Sequence, residues 1–499
     1  MSQPSHTPFW QSLRPYWALL FLVGLLITQL VHPPDSVAAT PRHYSELEFP
    51  PLPEVQLPDY EQFQLENGLR VYLIEDHELP LVSGVALVNT GSRLEPIDKV
   101  GLAGMTGALM RSGGTQSHPP ESLNRELEQK AASIEASIDT TRGTVRFDAL
   151  SSDLETVFDL FVEVLRQPAF DPDQLALAKN QARGQIARRN DEPRDIAQRE
   201  FQKLIYGDRS PYARTMEYET LAAIERQDLQ QFYQQSVQPD RLILGVVGDF
   251  ERGTMRPLIE EKLGDWQASG SSFPDLSEDL RQPSQAQASG VFLVDRPELT
   301  QSYVELGHLG GVRNDPDYPI LGVMNNVLSG FGGRLFNEVR SRQGLAYSVY
   351  GVWATQYDYP GVFRAGGQTR SEATVPFIES VRGEIERIRR EPITADELQL
   401  AKDSTLNSFV FNFASRAQTL SRLLTYDYYD YPSDFLFRYQ DRVKATTVED
   451  VLRVAQTYLN PEQLVTLVVG DRAAIDPPLD QLNPNQDVTL IDVTIPQPS

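Results

Sequence analysis

Gln238-Pro-Asp-Arg-Leu-Ile-Leu-Gly-Val-Val-Gly-Asp249 is a turn, an unbroken apolar run and a second turn, and the chain repeats it as Asn460-Pro-Glu-Gln-Leu-Val-Thr-Leu-Val-Val-Gly-Asp471. A short apolar run bounded by turn residues reads as a fully buried strand. The copies stand 222 positions apart, counted from Pro239 to Pro461, and the same offset joins Gly248 to Gly470, Asp249 to Asp471 and Asp228 to Asp450. An offset of 223 joins Leu175, Leu177, Ala178 and Lys179 to Leu398, Leu400, Ala401 and Lys402. A register held over so long a stretch marks a duplicated domain.

Upstream, Phe63 to Ile74 places Asn67-Gly68 between two apolar-rich runs, a hairpin pattern, and Val82 to Val88 adds a strand. Apolar residues recur at helical spacing from Val100, and helical patterns follow at Pro120–Ala136, Ser152–Leu165, Asp173–Arg189 and Arg226–Gln235. The second copy opens at Val291, after a stretch from Gln267 to Gly290 with the Ser, Pro, Gln and Gly content of a linker. The expected fold is α/β (α+β): two tandem homologous halves, 60–266 and 291–480, each a mixed sheet packed with helices, facing each other as a clam-like chamber. Residues 481–499 form a tail.

The N-terminus carries Arg14, an uncharged apolar run from Trp17 to Val31, and small residues ending in Ala38-Ala39, which together read as a signal peptide over 1–39. The run is short of the roughly 20 residues that a spanning helix needs. The expected location is therefore an exported one, the periplasm or an equivalent space, with a membrane involved only if the signal stays uncleaved. Residues 40–59 hold five prolines and read as an extended lead-in. The chain has no cysteine, which excludes disulfides and thiolate metal sites, and its formal net charge of −24 argues against a nucleic-acid partner.

Asn67-Gly68-Leu69-Arg70-Val71, Gly91-Ser92-Arg93-Leu94-Glu95 and Gly101-Leu102-Ala103 follow one another as in the opening block of the pitrilysin/insulinase family, which the chain resembles over about residues 60 to 475. In active members the next five residues are His-x-x-Glu-His, two zinc-binding imidazoles one helical turn apart with the glutamate as general base. Here they are Gly104, Met105, Thr106, Gly107 and Ala108, and the family's third ligand, a glutamate, falls at Gln185. The resemblance thus implies a chain that has lost its zinc ligands and is inactive alone.

No other cluster replaces them. His6 and His32 lie in the leader, and His43, His77, His118 and His308 stand far apart, with no pair at helical spacing. Nor is there a Gly-x-Ser-x-Gly elbow or a phosphate-cradling Gly-x-x-x-x-Gly-Lys loop.

The second copy keeps Leu328-Ser-Gly-Phe-Gly-Gly-Arg-Leu-Phe336 and Glu338-Val-Arg-Ser-Arg-Gln-Gly-Leu-Ala-Tyr-Ser-Val349, similar to the family's C-terminal signature. Arg340 and Tyr347, seven positions apart, match the family's pair that reaches substrate and the developing oxyanion across the closed chamber. Gly330, Gly332 and Gly333 suit close backbone approach at a peptide-binding loop. The same residues also permit a plainer reading, with Arg340 at a helix end, Tyr347 an ordinary strand aromatic and the glycines a simple connection.

Relatives of this kind often work in pairs. The resemblance implies a non-catalytic, substrate-binding subunit acting on peptides with a zinc-bearing paralogue, or with a second copy of itself, so that zinc is expected in the partner and no cofactor in this chain. The alternative is a peptide-binding or assembly scaffold without hydrolytic role.

Overall fold

The Asn67-Gly68 turn folds β1 (Glu61–Gln64) back on β2 (Arg70–Glu75), with Glu61 opposite Leu73 and Gln64 opposite Arg70. Gly68 has a φ of 93°, in the left-handed region that a side chain disfavours. The Asn67 amide donates to the carbonyls of Leu263 (2.7 Å) and Trp266 (3.0 Å), tying the turn to the far end of its own half. The computed structural model describes residues 57–271 and 283–496. The expected signal, nearly all of the lead-in and the centre of the linker lie outside them, as does His43.

Two six-stranded mixed sheets form the frame. The first runs β1-β2-β6-β3-β5-β4, with β3 (Leu81–Val88), β4 (Ser133–Ile138), β5 (Gly143–Leu150) and β6 (Leu242–Gly248). The second runs β12-β7-β11-β8-β10-β9, with β7 (Gly290–Asp295), β8 (Gln301–Leu309), β9 (Ala346–Trp353), β10 (Val362–Arg370), β11 (Val465–Gly470) and β12 (Thr489–Leu490). The repeated apolar runs are β6 and β11. Each is wholly buried: β6 runs parallel to β2 and antiparallel to β3, and β11 parallel to β7 and antiparallel to β8. Five strands correspond one to one; only the outermost strands β1 and β12 come from different places in the chain.

One face of each sheet packs on helices of its own half. The other face is covered by a helix from the opposite half. Ile196, Phe201, Leu204 and Ile205 of the Pro193–Tyr206 helix lie on Phe292, Val294, Val465, Leu467 and Val469 of the second sheet. Reciprocally, Leu420, Leu423 and Leu424 of the Arg416–Tyr428 helix lie on Tyr72, Ile74, Ile243 and Val247 of the first. Gly245 makes the seat: a Cβ there would lie 2.6 Å from a Leu424 methyl.

Burying seven such side chains stabilises the contact by roughly 10–20 kcal/mol, as much as the whole net stability of an ordinary domain. The two halves accordingly pack into one compact unit. Tyrosines close the rest of the junction, with Tyr212 stacked on Tyr359 and Tyr357 on Tyr429. The Tyr428 hydroxyl donates to the Thr141 carbonyl at 2.7 Å, and Arg70–Asp427 and Arg93–Asp358 pair across it. Of the chamber expected between the halves, this junction leaves a recess of about 370 Å³ lined by Phe201, Tyr206, Tyr212 and Arg364 among others.

The exchanged helices leave the β5/β4 and β10/β9 ends of the two faces open and polar. Arg146, Asp148, Ser133 and Glu135 are exposed on the first. Arg364 bonds Glu305 at 2.7 Å, and the Gln368 amide donates to the Tyr303 hydroxyl at 2.9 Å, on the second.

One local expectation fails. The helical pattern over Pro120–Ala136 ends at Gln129, and Ser133–Ile138 is the edge strand β4. Ala131 takes a φ of 48°, which no helix tolerates, and beyond it Ile134 and Ile138 are buried while Ser133, Glu135 and Ser137 are exposed, the two-residue period of a strand.

Candidate functional site

The Leu102–Ser112 helix stands where the family's zinc helix would. Its first turn is capped from a distance: the Glu95 carboxylate accepts from the N–H groups of Gly101 (3.1 Å) and Ala103 (2.8 Å). Burial raises the Glu95 pKa, against the pull of those two donors and of Arg214.

Gly104 and Ala108 are one turn apart and both exposed, and a Cβ at 104 would meet open space. The face that would present two imidazoles is there without a donor on it. Met105 and Thr106 point into the core, the Thr106 hydroxyl donating to the Leu102 carbonyl at 2.8 Å.

Gly107, at the position of the catalytic base, is buried against β4 so closely that a Cβ would lie 2.4 Å from the Ile138 backbone nitrogen. Gln185 is exposed on the Pro172–Arg188 helix, which packs beside the Leu102–Ser112 helix. One carboxamide and two positions without a side-chain donor do not fit Zn²⁺, which takes imidazole, thiolate or carboxylate.

The described histidines are each taken up locally. His77 Nδ1 bonds Asp249 at 2.8 Å, which raises the imidazole's pKa, and His118 Nδ1 bonds Glu163 at 2.7 Å. His308 lies buried between Trp353 and Phe363, its Nε2 accepting from the Asn460 N–H; burial lowers its pKa. Among the described residues no three of His, Asp or Glu converge as a metal site would need.

The second half differs where its signature lies. Phe336–Arg342 is a π-helix, closed by bonds such as Gln343 N–H to the Glu338 carbonyl at 3.1 Å. Single π turns occur often at functional sites. On β9 the register against β10 runs Gly367 to Val349 and Gln368 to Ser348, then jumps to Thr369 opposite Ala346, so Tyr347 is the unpaired residue of a β-bulge. A bulge re-aims a side chain at a sheet edge.

The two irregularities bring the predicted pair together. The Arg340 guanidinium carbon lies 5.0 Å from the Tyr347 ring centre and 4.8 Å from that of Phe336, with Arg340 exposed and Tyr347 83% exposed.

Of the glycines, Gly332 has a left-handed φ of 77°, and Cβ atoms at Gly330 and Gly333 would collide with neighbouring backbone. The loop is anchored behind by Arg334, whose buried guanidinium meets both Glu397 oxygens, at 2.6 and 3.0 Å, and holds that carboxyl down at about 2.

Within the signature block three residues carried no assigned role: Arg334 behind the loop, Phe336, and Phe331, the last 93% exposed between glycines. A lone large apolar side chain in a glycine loop was the available signal. The outer edge of β9 is itself partly capped, since the Asn325 side chain bonds both the Trp353 N–H (2.7 Å) and its carbonyl (3.1 Å), and the Ser329 hydroxyl does the same for Gly351.

Residues 70–216 match the model described as insulinase (peptidase family M16) and residues 223–405 that described as the peptidase M16 inactive domain. The chain is 25% identical over 367 residues to an uncharacterized zinc protease, YmxG, of Bacillus subtilis, covering 72% of this chain and 86% of that one. It is 21% identical over 403 residues to a protein of Helicobacter pylori named a non-peptidase homolog, covering 80% and 91%. The periplasmic protease PqqL of Escherichia coli shares the fold, with a TM-score of 0.70 at 16% identity over 85% of this chain and 49% of its own. Two family models in tandem, on a duplicated fold with the family's signature blocks, place this chain in the insulinase family, peptidase family M16, as a peptidase-like member without the side chains that bind the family's zinc.

Proposed function

We propose that the chain is a non-catalytic, substrate-binding subunit of an exported zinc peptidase of the insulinase type, completed by a zinc-bearing paralogue. The observation that carries this reading is the exposed Arg340–Tyr347 pair, presented by a π-helix and a bulge that the zinc-less half does not have. A guanidinium and a phenol are fixed donors that hold a peptide carbonyl and stabilise charge growing on its oxygen. They catalyse only where a partner supplies the attacking water, and the open polar ends of the two sheets offer a wall for such a partner to cover. Export is supported by the N-terminal sequence and by the fold shared with a periplasmic protease; among the described residues no helix is long and apolar enough to cross a membrane.

The test is a peptide-cleavage assay on this chain, on a zinc-bearing paralogue, and on both mixed. Activity is expected to rise only in the mixture, and Arg340→Ala or Tyr347→Phe should lower the mixture's kcat by about 10²-fold, the usual cost of losing one such donor. An unchanged rate with either variant removes the trans role and leaves a binding scaffold.

A further inference from the structure

Arg340 is distinguished from the arginines beside it by having no acid. Arg334 is held by Glu397 and Arg342 by Glu338, which is also taken up by the Gln343 amide at 2.5 Å. Among the described residues no carboxylate lies within ion-pair distance of Arg340; its neighbours are the rings of Phe336 and Tyr347. A guanidinium resting on aromatic rings is oriented by them and keeps its in-plane N–H fork for an acceptor. That fork matches the two oxygens of a carboxylate better than the single oxygen of a neutral amide, and the charged bond is roughly twice as strong. Directly beside it, the Phe331 ring, 93% exposed, sits 6.5 Å from Phe336 and offers apolar surface with nothing on it.

We propose that Phe331, Phe336, Arg340 and Tyr347 form a site for a carboxylate joined to an apolar side chain, the chemistry of a peptide's free C-terminus. The inference rests on the reading of this surface as a peptide site and names the class of peptide it takes. The same carboxylate chemistry is available from an Asp or Glu side chain within a peptide, which the experiment separates.

The full chain, without any partner, is titrated with three fluorescent peptides: one ending in Leu-Phe as the free acid, the same peptide amidated, and an amidated version with Glu before the final Phe. The free acid is expected to bind about tenfold or more tightly than the amide at low salt. The preference should shrink as salt rises, since the site is exposed. It should vanish in Arg340→Ala, a change at an exposed position, while Phe331→Ser weakens acid and amide alike.

Equal affinity for acid and amide, or a preference that survives Arg340→Ala, would overturn the proposal. An amidated Glu peptide that binds as well as the free acid would overturn the C-terminal assignment. Equal affinities leave the mixing assay standing. A carboxylate preference without stimulation of a partner sinks the subunit reading and keeps this site.

Discussion

The two halves share five strands, yet they differ where the family's functional side chains would stand. In the first half β4 and β5 pair in unbroken register, and the segment after the Leu102–Ser112 helix is an ordinary α-helix, Pro120–Gln129. In the second half, after the Tyr318–Ser329 helix, the equivalent places hold a π-helix and a bulge. Irregular backbone of this kind costs stability and persists where it aims a side chain. Where the side chains of the chemistry are gone, the packing has instead closed: Gly107 lets the helix settle on β4 until no side chain fits. The difference teaches that the first half lacks the zinc donors, while room for a side chain is missing only at the position of the base, Gly107, and not at Gly104.

The largest effect expected from testing that contrast is on Gly107→Glu. Restoring the base puts a Cβ 2.4 Å from the Ile138 nitrogen and an unpaired carboxylate in a buried position, which should cost about 3 kcal/mol or more, read from the denaturant midpoint. The paired change Gly104→His with Ala108→His, both at exposed positions, should stay within about 1 kcal/mol of the parent. If Gly107→Glu proves as harmless as the histidine pair, the first half has not closed.

Arg334→Ala comes next and probes the second half. It removes both bonds to Glu397 from a buried guanidinium and should cost about 2–3 kcal/mol. The pH dependence has a definite sign. Glu397 is held at about 2, below the ordinary carboxylate value, so its contribution is complete above roughly pH 5 and is lost as the pH falls towards 2. The gap between parent and Arg334→Ala should therefore narrow over that window; a gap independent of pH would show that packing, and not the ion pair, anchors the loop.

The smallest change is Gly332→Ala. Its φ of 77° is left-handed, while the nearest atom to an added Cβ is a Leu400 methyl at 3.9 Å, so strain alone should cost about 1 kcal/mol. No loss would mean that the glycine loop of the second half is not held in this conformation.

Much of the frame could be read directly. The hairpin at Asn67-Gly68, the buried runs that became β6 and β11, and the Leu102–Ser112 helix are written in local periodicity and turn residues, which need no distant partner to be recognised. The missing donors at Gly104, Ala108 and Gln185, and the Arg340–Tyr347 pair, were picked out only through the resemblance to the family, whose motifs say which positions to look at. The overlong helix at Pro120–Ala136 shows the limit: Ser133-Ile-Glu-Ala-Ser-Ile138 suits a helix or a strand by itself, and pairing with β5 decided it.

What the sequence by itself determined is therefore the strand and helix types, which are local patterns, the duplication, which repeats such a pattern at a constant offset, and, through the family's motifs, which chemistry has been deleted. Only the tertiary structure decided that each half lends a helix to the other's sheet, that Gly107 closes against Ile138, and that a bulge and a π turn bring Tyr347 beside Arg340. Those outcomes depend on cross-strand register and on apolar faces finding partners roughly 90 to 350 residues away, and neither leaves a periodic trace in the chain.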